Sequence, residues 1–304
     1  MSEYILKIDK VTKKYFQKTA VDDISIEINE GSILGILGPN GAGKTSLIKM
    51  LNQIVRPDFG KIYLSGHELR REDKKFIGYM PQERGLYSEM KVEDQIIYFA
   101  QLRGLSYKSA KIEADYWLDK MNIRDVAKNK TGIIDKSTQQ KIQFIITIIH
   151  KPKIIILDEP IKDLDYVNSE IVQSELKRLK KNGATILFSS DKVEQAEQIC
   201  EHIVVINEGK KLIDGNVRQI KKHFKKNSFR VEFYGDASAK ILQSNFKIVK
   251  VSHDSIIFQL SLGQNPTMLL KFLLESGLQV TSFNEIVPSL QEIFTESVSI
   301  SQSK

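Results

Sequence analysis

The sequence has very little cysteine and no long hydrophobic run. Cys200 is the only cysteine, which excludes an internal disulfide and favours a cytoplasmic setting. The longest apolar stretches, such as 144–149 and 154–157, are far shorter than the roughly 20 residues that a membrane-spanning helix needs. Residues 1–10 mix charged with apolar side chains and show no signal-peptide pattern. If the protein works at a membrane, we expect another chain to span it.

The sequence is also poor in histidine and in clustered charge. Its 5 histidines are far apart, with no cysteine or carboxylate at ligand spacing, so we expect no metal cluster held by the protein alone. The net charge of +7 is spread over scattered lysine pairs, which favours solvated faces with some attraction to anionic lipid. Nucleic-acid binding would need basic and aromatic residues gathered on one face, and no segment shows that pattern.

The length and periodicity predict two α/β domains in the 304-residue chain. Alternating strands precede a strand and helix series in 1–222, which is interrupted at about 83–150 by a helical subdomain. A second pattern over 228–304 has the order β-α-β-β-α-β, including a helix at 237–242, and predicts a small α+β ferredoxin-like domain. Tight turns are predicted at Gly209 and Gly215.

One stretch carries a phosphate-binding pattern between an apolar strand at 33–37 and a helix at 45–51. Glycines let successive backbone N–H groups converge on one anion at the N-terminus of that helix. Lysine at the end of the loop would reach the β- and γ-phosphates, and the next threonine would bind Mg²⁺. The loop therefore predicts ATP and Mg²⁺ as ligands, and its residues are Gly38, Pro39, Asn40, Gly41, Ala42, Gly43, Lys44, Thr45 and Ser46.

Two adjacent carboxylates, Asp158 and Glu159, follow a β-branched apolar strand at 153–157. Open parallel sheets hold their ligands at the carboxyl ends of such strands. The acid pair is therefore expected in the same site as the phosphate loop.

With these motifs in place, 1–222 resembles the ATP-binding subunit of ABC transporters, of the P-loop NTPase fold, and 228–304 is similar to the C-terminal extension of a bacterial export-type subset. Tyr15 in KKYFQKTAVDDIS matches the aromatic residue that stacks on adenine, and Gln82 in YMPQE matches the Q-loop residue that senses Mg²⁺ and couples to the membrane subunit. In IIILDEP, Asp158 matches the Mg²⁺-associated aspartate and Glu159 the general base. The resemblance thus implies Glu159, Lys44 and Gln82 as catalytic residues and Thr45, Gln82 and Asp158 as Mg²⁺ ligands.

Three other elements depart from the family's pattern. The signature falls on 134–138, where its serine is replaced by Asp135 and its second glycine by Ser137. The D-loop at 162–165 keeps only Leu164 and Asp165, and Asp191 replaces the switch histidine. Neither pairing with itself nor pairing with an intact partner subunit would restore a complete site. We therefore expect slow hydrolysis, unless Lys136, Ser137 or Ser190 substitutes for the missing groups.

The resemblance implies a dimer with a second ATP-binding subunit and an integral membrane permease as partner, at the inner face of the plasma membrane. A nucleotide-gated regulatory protein on the same fold, with weak or no catalysis, is the alternative. A family member working on ribosomes or DNA is disfavoured, because such proteins usually carry tandem modules or a long coiled-coil insertion.

Overall fold

The protein's structure, a computed structural model, describes residues 4–234, 241 and 244–302. The strands are β1 Leu6–Tyr15, β2 Lys18–Ile28, β3 Ile33–Leu37, β4 Phe59–Leu64, β5 His67–Glu68, β6 Ile77–Met80, β7 Ile154–Asp158, β8 Thr185–Ser190, β9 His202–Asn207, β10 Lys210–Asn216, β11 Ser228–Tyr234, β12 Lys247–Val251, β13 Ser255–Gln259 and β14 Gln279–Glu285. The α-helices are α1 Lys44–Leu51, α2 Val92–Leu102, α3 Tyr107–Lys120, α4 Lys136–Ile148, α5 Tyr166–Lys181, α6 Val193–Ile199, α7 Val217–His223, α8 Pro266–Glu275 and α9 Leu290–Gln302. Short 3₁₀ helices lie at Arg71–Phe76, Arg124–Val126 and Thr131–Ile133.

The chain divides into two compact units, Met1–Val217 with Ser297–Lys304, and Arg218–Glu296. The first unit contains an antiparallel sheet of order β2-β1-β4-β5 and a six-stranded sheet of order β10-β9-β3-β8-β7-β6. The assignment of separate functional domains to 1–222 and 228–304 stays a prediction.

The six-stranded sheet brings the two predicted motifs together. Every residue of β3, β7 and β8 is buried, as expected for parallel strands covered on both faces. Leu37 pairs with Ser190 across β3 and β8, and Asp158 pairs with Ser189 across β7 and β8. The phosphate loop after β3 and the acid pair at the end of β7 therefore emerge at one sheet edge.

The predicted helical subdomain is present between β6 and β7 and consists of α2, α3 and α4. Its buried side chains follow a helical period, for example Ile96 and Ala100 on α2 and Trp117 with Leu118 on α3. Trp117 and Met121 are buried, as the sequence suggested for core residues. Helix α4 is the last helix of the subdomain, and the chain enters β7 directly after it.

The end of the first unit differs from the sequence-based prediction at Gly215. That residue lies inside β10 and pairs with Ile203 of β9, whereas Gly209 with φ 79° does form the turn between these strands. Both β10 and α7 were missing from the prediction, because their mixed lysine-rich pattern has neither a clear strand period nor a helix cap.

The second unit has the sheet order β12-β13-β11-β14 with antiparallel neighbours, the arrangement of a ferredoxin-like fold. Its core includes Val231, Ile256, Phe258, Leu269 and Leu273. The helix predicted at 237–242 lies outside the described residues except for Ile241. In the part of the chain that is described, none of the helices has the length and hydropathy of a membrane span.

Candidate functional site

The phosphate loop is shaped by close backbone approaches that only glycine allows. A Cβ atom on Gly43 would lie 2.1 Å from the carbonyl oxygen of Ala20 on β2, and Gly43 also has φ 110°. A Cβ atom on Gly38 would lie 2.2 Å from the carbonyl oxygen of Ile206 on β9. The loop is therefore held between β2 and β9, with Asn40 and Gly41 at its exposed tip.

Lys44 begins α1 and is 5% exposed. Its Nζ atom donates hydrogen bonds to the carbonyl oxygens of Gly38 at 2.7 Å and Pro39 at 3.1 Å, so the side chain lies along its own loop. Burial lowers the pKa of Lys44, and the negative charges of Glu159, Asp191 and Asp158 partly offset this effect. The Lys44 ammonium group is thus held close enough to Glu159, Asp191 and Asp158 for their negative charges to act on it.

Asp158 ends β7 and is 1% exposed. Its Oδ1 atom accepts a 2.5 Å hydrogen bond from the Ser189 hydroxyl of β8. Burial raises the pKa of Asp158, while the hydroxyl groups of Ser189 and Thr45 favour its ionised form. Its Oδ2 atom is buried and has no hydrogen-bond partner among the described residues.

Glu159 follows β7 directly, and its backbone has the left-handed conformation, with φ 54°. Such a backbone costs about 1–3 kcal/mol for a non-glycine residue and requires support from its surroundings. The Ser189 hydroxyl that donates to Asp158 also accepts the Glu159 N–H at 3.1 Å. Oε2 of Glu159 accepts hydrogen bonds from Gln82 Nε2 at 2.9 Å and Lys162 Nζ at 2.6 Å. The structure thereby joins the predicted Q-loop residue and the predicted base directly.

Helix α4 contributes polar side chains that sequence reasoning missed. Gln140 Nε2 donates to the carbonyl oxygens of Glu159 at 3.3 Å and Pro160 at 3.0 Å. One turn later, Gln143 Nε2 donates to the carbonyl oxygens of Pro81 at 2.8 Å and Glu83 at 3.3 Å. The i, i+3 spacing of glutamines in an apolar helix was the available signal, since it places both amides on one face. This helix therefore links the acid pair to the segment around Gln82.

Asp135, at the predicted signature position, has a structural role at the start of α4. Asp135 is the N-cap of α4, and its side chain accepts the Thr138 N–H at 2.9 Å. Hydrogen bonds from Thr138 lower the pKa of Asp135, so an ionised carboxylate lies at this exposed helix terminus. Ser137 accepts a 3.3 Å hydrogen bond from Asn168 of α5.

Two other predicted residues lie at the edges of the site. Tyr15 ends β1 and is 38% exposed, with the Lys13 ammonium 5.6 Å from its ring centroid. Its hairpin partner β2 carries Ala20, which contacts Gly43, so this ring belongs to the strand pair beside the loop. Asp191 follows β8, and its charge acts on both Lys44 and Lys162.

The donor set fits Mg²⁺ held mainly by phosphate oxygens. No group of three or more His, Cys, Asp or Glu side chains suited to a metal occurs among the described residues. The Thr45 hydroxyl interacts with the Asp158 carboxylate. The buried Oδ2 atom of Asp158 has no hydrogen-bond partner among the described residues. Mg²⁺ characteristically takes only one or two protein ligands besides phosphates and waters.

Comparison with known proteins agrees with this geometry. Residues 21–162 match the ABC transporter family model, and residues 215–298 match the model of the ATP-binding protein DrrA1-3-like, C-terminal domain. The chain is 37% identical over 296 residues to the uncharacterized ABC transporter ATP-binding protein YhaQ of Bacillus subtilis, covering 97% of this chain and 98% of that protein. It is also 37% identical to MJ1023 of Methanocaldococcus jannaschii, named as an uncharacterized ABC transporter ATP-binding protein, over 71% of this chain and 79% of the relative.

Solved structures show the same fold. The dimeric structure of a post-hydrolysis state of the ATP-binding cassette MJ0796, bound to ADP and Pi, aligns with a TM-score of 0.66 at 21% identity, over 70% of this chain and 99% of that chain. The phosphate loop, the acid pair at the end of β7 in the same sheet and the near full-length relative lead to one assignment. The chain belongs to the ABC transporter family, as an ATP-binding subunit.

Proposed function

We propose that this chain binds MgATP at the site formed by the phosphate loop, Asp158, Glu159 and Gln82, and uses it to drive a separate membrane permease. The observation that carries the proposal is the hydrogen-bonded connection of Gln82 to Glu159, next to Lys44 at the same sheet edge. These groups come from segments far apart in sequence, and a common ligand accounts for their convergence.

Each residue in the site has a proposed task. The amides of 38–46 and Lys44 bind the phosphates, and Tyr15 stacks on the adenine ring. Thr45, Asp158 and the side-chain carbonyl of Gln82 would hold Mg²⁺, which would supply positive charge against the phosphates. Glu159 accepts the proton of the attacking water.

A second ATP-binding subunit and a permease are the proposed partners. The MJ0796 structure is dimeric, and a dimer in which each signature faces the other subunit's nucleotide is proposed here by analogy. In this proposal the protein acts at the cytoplasmic face of the plasma membrane.

A surface beside Gln82 suits a permease segment. A cavity of about 180 Å³ is lined by Pro81, Leu86, Phe99 and Arg103, among others. Tyr87, 54% exposed, stacks on Phe99 with ring centroids 5.9 Å apart. Exposed aromatic residues around an apolar recess are typical of protein interfaces, and α4 connects this recess to Glu159.

Nucleotide-gated regulation with weak catalysis is the second candidate function. It is favoured by Asp135 and Asp191, which put negative charge where the family's pattern has a serine and a histidine. Both candidates require ATP binding and differ only in turnover.

Calorimetric titration with MgATP tests the proposed site. Lys44→Ala removes a buried cation from the loop and should weaken binding by about 100-fold or more, given the 1.5–3 kcal/mol typical of each hydrogen bond to a charged group. Lys49→Ala is the matched control, because Lys49 is an exposed residue of the same helix. Undiminished affinity in the Lys44→Ala variant would reject the site.

A further inference from the structure

We propose that Lys162 is a positioning residue, which fixes the carboxylate of Glu159 so that its Oε1 atom serves as the proton acceptor. This inference rests on the proposed function of the site. Nothing in the phosphate loop, the acid pair or the Q-loop accounts for a lysine at this position, which is the first residue of the D-loop.

Lys162 contacts the proposed base Glu159, three residues earlier in the chain, through both its side chain and its backbone. Its Nζ atom lies 2.6 Å from Glu159 Oε2, and its backbone N–H donates to the Glu159 carbonyl oxygen at 3.3 Å. The Glu159 side chain is 6% exposed, whereas that of Lys162 is 42% exposed. An ion pair with one nearly buried partner orients that partner more strongly than a pair exposed on both sides.

Both side-chain donors of the carboxylate act on the same oxygen. Gln82 Nε2 and Lys162 Nζ donate to Oε2, and within the described residues no hydrogen bond to Oε1 is found. Two donors from different segments of the chain restrict the rotation of the carboxylate about its terminal bond. Oε1 is consequently the oxygen that remains available for a proton.

The surrounding charges explain why Lys162 stays protonated. The hydrogen bond to Glu159 raises the pKa of Lys162 and outweighs the opposing effect of burial, and the charges of Glu159, Asp191 and Asp163 raise it further. Asp163 is itself paired with Arg84, which leaves Glu159 and Asp191 as the acidic neighbours that Lys162 neutralises. The cation thus compensates for the negative charge that Asp191 brings into the site.

The position of Lys162 has a defined consequence for ATP hydrolysis. The water oxygen forms a bond to the γ-phosphorus, the bond from that phosphorus to the bridging oxygen breaks, and the electron pair stays on ADP. The proton lost by the water passes to Glu159 Oε1. Lys162 touches neither water nor phosphate in this scheme, so it affects the rate only through Glu159.

Steady-state kinetics separates positioning from nucleotide binding. In the full chain with its membrane partner, Lys162→Met should lower kcat about 10-fold, since Gln82 still holds Oε2, and should leave KM for ATP within about twofold. Lys162→Arg should restore kcat to within about threefold of the wild type, because a guanidinium can donate to the same oxygen. Lys177→Met, an exposed lysine of α5, is the control for loss of a surface charge. An unchanged or raised kcat in Lys162→Met, or a rise in KM proportional to the loss, would overturn the proposal.

A second measurement is independent of turnover. The pKa of the Lys162 ammonium group, followed by NMR in the nucleotide-free protein, should fall in Glu159→Gln and fall less in Asp191→Asn. A Lys162 pKa that is the same in Glu159→Gln and in the wild type would refute the ion pair. Absence of MgATP binding by the wild type would instead reject the proposed function, while the NMR result would still decide whether Lys162 holds Glu159.

Discussion

At the scale of single residues, the site contains charges that are unfavourable for folding. Asp158 is 1% exposed and burial raises its pKa, so its charged form is less stable in the folded chain than in the unfolded chain. This penalty is absent below the unfolded pKa of about 3.8, grows as the pH rises, and is complete above the folded pKa.

We therefore expect Asp158→Asn to stabilise the nucleotide-free protein at pH 8 by about 0.5–2 kcal/mol, as is common when a functional residue under strain is replaced. The gain should vanish towards pH 3.8, the ordinary value for this carboxyl. Thermal melting in EDTA at several pH values measures it, with Asp254→Asn, an exposed aspartate, as the control. A melting temperature lowered at pH 8 would contradict the buried-charge account.

Membership of the candidate site could be predicted for residues that stand in a short sequence motif. It could not be predicted for residues whose contacts come from distant segments of the chain. Lys44, Asp158 and Glu159 stand in short patterns with fixed spacing, whereas Gln82 was found only through the family resemblance. Ser189 hydrogen-bonds both Asp158 and the Glu159 backbone only because β7 and β8 are neighbours. The role proposed for Lys162 depends on its ion pair with Glu159, which no sequence pattern indicated.

At the scale of elements, α4 contacts both the acid pair and the segment around Gln82, which the proposed function couples to each other. Its N-cap is Asp135, and its glutamines contact the backbone of the acid pair and of the segment around Gln82. A movement of that segment would therefore reach Glu159 through a single helix.

The helix and strand bounds were largely readable from sequence. The all-buried strands and the amphipathic helices have clear periods, and the predicted strand at 33–37 is β3 without change. The lysine-rich stretch that forms β10 and α7 was missed, because neither element has a clear hydrophobic period and β10 is fixed by its pairing with β9.

The aromatic surface beside Gln82 yields a prediction about the permease. Tyr87→Glu and Arg103→Glu each place negative charge at the recess lined by Phe99. Either substitution should reduce retention of the protein on permease-containing membranes by about 10-fold or more. The reason is that burying an unpaired charge in the interface costs well over 1.4 kcal/mol. Co-sedimentation measures retention, with Ile112→Glu on the exposed side of α3 as the control.

Retention on bare liposomes equal to that on permease-containing membranes would contradict protein-mediated attachment. Loss of retention in the Ile112→Glu control to the same extent would assign the effect to general destabilisation.

At the scale of the whole molecule, the proposed ATP-binding site is combined with departures from the family's pattern at positions implied in hydrolysis. The phosphate loop and the acid pair lie at one edge of the same sheet, which supports the proposed nucleotide binding. Asp135 and Asp191 add negative charge at the two positions that the family's pattern reserves for transition-state contacts. Loss of one such donor typically lowers the rate by about 10²–10³. We therefore expect tight MgATP binding with turnover below the range of about 1–10³ s⁻¹ typical of enzymes.

ATPase turnover of the wild type beside the triple variant Asp135→Ser, Ser137→Gly and Asp191→His tests this account most directly. Serine is as good an N-cap as aspartate, so α4 should remain folded in the variant, which circular dichroism can verify. The account predicts a wild-type rate below about 1 s⁻¹ and a gain of about 10-fold or more in the variant, with MgATP affinity retained in both. A wild-type rate of about 1 s⁻¹ or higher, with no gain in the variant, would contradict it.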